Sequence, residues 1–188
     1  MLDDATQDLI DQLVGNAHGD LAVVQSLAVA HPELIDAPAR WGETAIQAAA
    51  QMGRADIADY LLSRGAPLDI CTATMLGRAE TVGEMVGADR SLVSATGAHG
   101  IPLLYFAVIK GHMGLAVMLQ EVGASPSAPD GVTSPLHGAA LFDQSEMAAW
   151  LLRAGASREA HDADGKTALQ LAEERSHVRV VAVLAPGQ

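Results

Sequence analysis

Aromatic residues are almost missing from this chain of 188: two Phe, two Tyr and two Trp make up 3% of it, while 49% is apolar. A core must therefore be built from Ala, Leu, Val, Ile and Met. Small side chains of this kind suit closely approaching helices, whereas sheets favour β-branched and aromatic residues. One cysteine, Cys71, excludes an intrachain disulfide and gives no reason to expect an oxidising compartment. No stretch approaches the ~18 apolar residues that span a bilayer. Met1, Leu2, Asp3 and Asp4 lack the basic-then-apolar layout of a secretory signal. The expectation is a soluble, cytoplasmic protein with no membrane partner. Basic residues are scarce too, 11 against 23 acidic for a net charge of −12, and the only lysines are Lys110 and Lys166. With no basic run, direct nucleic-acid binding is disfavoured. An acidic surface confers solubility or steers a basic partner. Abundant Ala and Gly with few lysines point to a GC-rich bacterial genome.

What is present is an internal repeat. Shifted by 58 residues, the chain falls into register with itself without a gap: Gly19 meets Gly77, Ala37 meets Ala95, Gly42 meets Gly100, Gly53 meets Gly111, and Gly65-Ala66 meets Gly123-Ala124. Each 58-residue unit holds two smaller ones. The clearest starts at a turn glycine, Gly42, followed by Thr44 as a helix cap and a short helix with Ala48, Ala49 and Ala50. Gly53 breaks it. A second helix follows with Ile57, Leu61 and Leu62 at helical spacing, ended by Gly65 in a left-handed cap. Such helices are too short to stand alone, so the copies must stack.

This layout resembles the ankyrin repeat. The match is closest at Ser134-Pro135-Leu136-His137-Gly138-Ala139-Ala140 with Leu151-Leu152 and Gly155-Ala156, and again at Gly165-Lys166-Thr167-Ala168-Leu169 with Val180 and Leu184. The resemblance implies an all-α solenoid of helix-turn-helix units with short β-hairpin fingers. One domain would cover 1–188, with repeats at 9–37, 38–68, 69–95, 96–127, 128–160 and 161–188, the first and last serving as caps. Two departures stand out. Asp143 replaces the mid-repeat glycine of the fifth copy. The third copy is about ten residues short, Ile46 to Ile70 spanning 24 residues and Ile70 to Leu104 spanning 34. The missing residues are those of a finger, so Asp69 is expected to cap the next helix directly.

The chemistry-bearing residues read as structural. His137 beside Ser134 invites a catalytic interpretation, but in the family this His bonds its own turn, and its counterparts are Gln47, Cys71, Tyr105 and Gln170. His161, Asp162 and Asp164 lie on one turn without further metal ligands. Cys71 has no activating neighbour in sequence. No catalytic residue, cofactor or metal is expected. The resemblance instead implies a non-catalytic module that binds a partner protein on its concave face, through finger tips and the ends of the first helices. Carried over, these positions are Trp41, Met52, Met75, Leu76, His99, Ile101, Ile109, Lys110, Leu141 and Phe142. Their apolar side chains either form an exposed strip, as contiguous interaction surfaces do, or pack between repeats. Met75 and Leu76, with no finger of their own, are expected to floor a notch between Trp41 on one wall and His99 and Ile101 on the other, with Glu43 on the rim. The expected partner is an unidentified protein, basic if charge steers it, met by a monomer. The alternatives are an acidic decoy for a basic nucleic-acid-binding protein, and a small-ligand receptor or enzyme.

Overall fold

The computed structural model describes residues 3–185. They form twelve α-helices in six antiparallel pairs: α1 (Asp4–Ala17) and α2 (Leu21–Ala30), α3 (Ala45–Gln51) and α4 (Ala55–Ser63), α5 (Ile70–Met75) and α6 (Ala79–Ala88), α7 (Leu103–Val108) and α8 (Met113–Glu121), α9 (Pro135–Leu141) and α10 (Ser145–Arg153), α11 (Ala168–Glu174) and α12 (Val178–Leu184). Four of the six first helices start on side-chain caps. Asp3, Asp69, Ser134 and Thr167 each accept a backbone N–H three residues on, which satisfies one of the orphan donors of a helix start.

The odd-numbered helices stack in chain order, each packed on the next from α1 to α11. Small residues make this possible: Ala48, Ala49, Ala107, Ala139 and Ala140 are fully buried or nearly so. Gly138 shows how close the approach is, because a Cβ there would lie 2.7 Å from the Tyr105 ring. Into this layer α4, α6 and α8 send Ile57, Leu61, Val82 and Leu119, all at 0% exposure. A fully buried aliphatic side chain of this size contributes about 1.5–3 kcal/mol.

Polar side chains stitch neighbouring pairs. The residue that precedes α4, α8, α10 or α12 reaches back to a carbonyl in or just after the first helix of the preceding pair, whereas Arg78 before α6 meets the Asp59 carboxylate at 3.0 Å. Arg54 donates to Gly19 O, His112 Nε2 to Met75 O (3.0 Å), Gln144 Nε2 to Ile109 O (3.4 Å) and His177 Nδ1 to Ala140 O (2.8 Å). Since a carbonyl only accepts, each imidazole carries its proton on the bonding nitrogen.

The fingers are tight turns with little strand. A single antiparallel bridge joins Thr96 and Pro102 among the described residues. One cross-finger bond recurs, Ala39 N to Glu43 O (2.8 Å), Gly97 N to Ile101 O (2.9 Å) and Asp162 N to Lys166 O (2.9 Å). The third pair lacks its finger: residues 64–69 alone join α4 to α5, where 31–44 join α2 to α3 and 89–102 join α6 to α7. This short join lies at the seam of the 58-residue duplication. Short 3-10 helices follow α2 (Pro32–Leu34) and α6 (Arg90–Ser94) at matching places. The α5–α6 pair thus repeats the α1–α2 pair.

Candidate functional site

The ends of the odd-numbered helices and the finger tips gather from four pairs onto one surface. Met52 follows α3, Ile101 ends the finger before α7, Leu141 ends α9, and Phe142 follows it. These four line a pocket of about 250 Å³ together with Gln51, Tyr105, Thr133 and Arg175. Met52 is 39% exposed, Leu141 and Phe142 are half-buried, and Ile101 is buried in the wall. Ile109 and Lys110 join the group from α7: a Cβ on Gly53 would meet Lys110 Cδ at 3.3 Å, Ile109 Cδ1 at 3.5 Å and Phe142 Cε1 at 3.6 Å. Ile109 is itself buried, so it supports the surface without forming it.

Met75 and Leu76 do not belong to this surface. Met75 is 0% exposed, so it is corrected from the floor of a notch to a sealed core residue, while Leu76 is half-buried. The groups that seal it come from neighbouring pairs. His112 donates to Met75 O and lies over Gly77, where a Cβ would touch its ring at 2.8 Å. Above that, repeats two and four meet over the third: Tyr105 Oη donates to Gln51 O at 3.1 Å and Lys110 Nζ to Gly53 O at 3.2 Å.

The tips close in the same way. Glu43 is 1% exposed, not a rim residue. Its Oε2 accepts the Trp41 indole N–H at 3.0 Å and lies 3.5 Å from His18 Nε2 and 3.9 Å from His99 Nε2, while Oε1 is buried without a partner. His18 Nδ1 lies 3.2 Å from Gly15 O, which fixes the ring beside the carboxylate. Trp41 and His99 therefore stand on one buried carboxylate rather than on opposite walls of a notch. Trp41 keeps 47% exposure, the largest aromatic surface at the tips.

His137 and Ser134 are buried and engaged. His137 Nδ1 accepts the Ser134 N–H at 3.0 Å and lies 2.8 Å from Ser134 Oγ, while Nε2 donates to the carbonyls of Ala160 (3.1 Å) and Lys166 (3.0 Å). Burial pushes the imidazole below its ordinary pKa, against a weaker upward pull from Asp162. Burial likewise pushes the Cys71 thiol and the Tyr105 phenol well up, away from reactive forms. Among the described residues no three His, Cys, Asp or Glu are arranged to hold a metal ion, and no helix is long and apolar enough to cross a membrane.

Comparison with known proteins agrees with this architecture. The ankyrin repeat family model matches residues 41–73, from Trp41 into α5. Over 121 residues the chain is 31% identical to cyclin-dependent kinase 4 inhibitor B of Rattus norvegicus, covering 62% of this chain and 90% of that protein. The chain belongs to the ankyrin-repeat family. Cyclin-dependent kinase inhibitor 2A of Monodelphis domestica is 34% identical over 116 residues, 60% of this chain and 66% of that protein. A much longer Danio rerio protein named as a palmitoyltransferase is 30% identical over 139 residues, 73% of this chain and only 18% of its own length. Of the other lining residues, Gln51 and Arg175 hold first-helix-end positions that the ankyrin pattern picks out, while Tyr105 and Thr133 escaped the sequence reading. Tyr105 carried a signal: it is the one phenol in a slot that otherwise holds His, Gln or Cys, and its hydroxyl needs a partner when buried.

Proposed function

We propose that this ankyrin protein is a non-catalytic binding module that takes an apolar side chain of a partner protein in the Met52–Ile101–Leu141–Phe142 pocket. The pocket is the observation that carries the reading. It is smaller than the ~300–1,000 Å³ of typical small-molecule sites, so it suits a side chain better than a metabolite. Its Met and Phe walls are of the kinds favoured at interface centres, and Met adapts to what enters. Lys110, exposed and close to Gly53 with Phe142, and exposed Trp41 at a finger tip offer further contact area. A pre-formed surface of this kind binds with little ordering cost on its own side.

A photo-crosslinking residue at Met52 tests it. Crosslinks to a discrete partner that vanish on adding Leu141→Asp support the pocket. Equal crosslinking from a residue at Val29, which is 63% exposed on α2, counts against it. A narrower second reading rests on the two relatives named as cyclin-dependent kinase inhibitors: the partner is a protein kinase. Loss of a kinase's activity on adding the wild-type chain, but not the Leu141→Asp chain, is its test.

A further inference from the structure

The short join between α4 and α5 leaves a groove of about 370 Å³ that no finger fills. Leu68, Ile70 and Cys71 form its floor, Met85 and Leu92 one side, and residues 95–97 of the next finger the other. Gln47 of α3 reaches into it. Elsewhere the chain shows what a finger does in such a place. His137 occupies the same slot as Gln47, and its Nε2 donates to Ala160 O and Lys166 O, the two ends of the finger that follows. Gln47 reproduces the first half of that arrangement, its Oε1 accepting the Thr44 N–H at 3.0 Å as His137 Nδ1 accepts the Ser134 N–H. This bond fixes the amide, since an N–H donor demands the oxygen. The NH₂ group is thereby left on the groove side, with no acceptor among the described residues.

We infer that this groove receives a turn segment of a partner protein, which completes the row of fingers from outside by offering backbone carbonyls to the Gln47 amide. Recognition through main-chain groups, with pockets for small side chains, is how extended segments add to an existing edge. The segment is uncharged: the one charged group of the groove, Asp69, is already engaged by the Thr72 N–H (2.8 Å) and hydroxyl (3.0 Å). It begins on a small apolar residue, as the chain's own fingers do at Ala37, Ala95 and Ala160, each half-buried. The groove shares no lining residue with the Met52–Phe142 pocket, so either can fail alone.

The probe is a head-to-tail cyclised peptide with the sequence of residues 94–102, titrated into the full ¹⁵N-labelled chain to about millimolar concentration. Amide shifts should centre on residues 68–71 and 92–97. Gln47→Glu keeps an oxygen for Thr44 but turns the donor into an acceptor, so the peptide should bind about tenfold more weakly. Inserting the same nine residues between Leu68 and Asp69 should block the peptide and leave the Tm equal or higher. The proposal is overturned by absent shifts at the groove, by shifts confined to the Met52–Phe142 pocket, by unchanged affinity in Gln47→Glu, or by a lower Tm on insertion. Dimerisation of the free chain that moves the same amides would assign the groove to a second copy and overturn it as well.

Discussion

At the scale of single residues, His137 links burial to pH. An unfolded imidazole binds its proton near pH ~6.5, whereas burial holds the folded one below its ordinary value. As pH falls through the ordinary His range the unfolded state binds more protons, so the His137 contribution is fully present above that range and declines below it. Stability measured by urea melts from about pH 7.5 to 5 should fall, and His137→Gln should flatten the slope. At pH 7.5 the Gln variant should lose only about 1 kcal/mol, since an amide can cap Ser134 as Gln47 caps Thr44, whereas His137→Ala should lose about 2 kcal/mol or more. An unchanged slope in the Gln variant would refute the assignment. Carboxylates held below their usual range, Asp56 by the Arg54 guanidinium and Asp130 by the His161 N–H, act lower, as pH falls below about 4. The structural role of His137 was legible in sequence because its first partner, Ser134, is three residues away. The burial of Met75 was not, because His112, which bonds Met75 O, comes from 37 positions further on.

Among elements, the break between the two helices of a pair takes a left-handed residue in every pair after the first, and the chain fills that place unevenly. Gly53, Gly77 and Gly111 have φ of 64°, 71° and 70°, but Asp143 and Ser176 hold the same place at 53° and 58°. A side chain there costs energy that glycine avoids. The contact of exposed Arg179 to Asp143, at 3.5 Å, compensates little, and Asp143 Oδ1 is buried without a partner. Asp143→Gly should therefore stabilise by about 0.5–1 kcal/mol, a rise in Tm of roughly 2–4 °C in a chain of this size. A fall in Tm by calorimetry would mean that the carboxylate contributes more than its geometry indicates. Gly138→Ala should do the opposite, driving a methyl into Tyr105 and Ile109 across the α7–α9 contact, with a loss of about 1–3 kcal/mol. Helix pairs and caps were readable because their signals are local. The missing finger was also readable, from spacing alone, yet its consequence was not. The neighbouring tips meet at Glu43 and close the expected notch, while the base of the gap stays open beside Gln47.

Across the whole molecule, the stack should be most protected in its middle. Every residue of α7 is buried, whereas α12 ends the stack with Val178 at 76% exposure and Glu173, Glu174 and Arg175 exposed before it. Amide exchange should be slowest in α7 and α9 and fastest in α12, and equal protection in α7 and α12 would contradict this packing order. The solenoid itself was legible because each repeat restates the pattern. The positions of Met52, Ile101, Leu141 and Phe142 were legible too, but not the pocket they share with Gln51, Tyr105, Thr133 and Arg175, because four repeats assemble it. The most direct test of the proposed function is the affinity of an isolated partner for wild type and for Leu141→Asp, measured from about 0.05 to 0.5 M salt. Binding through the apolar pocket predicts at least a tenfold loss in the variant and little change with salt. Equal affinity in the variant, with binding that collapses as salt rises, would contradict it and favour an acidic decoy.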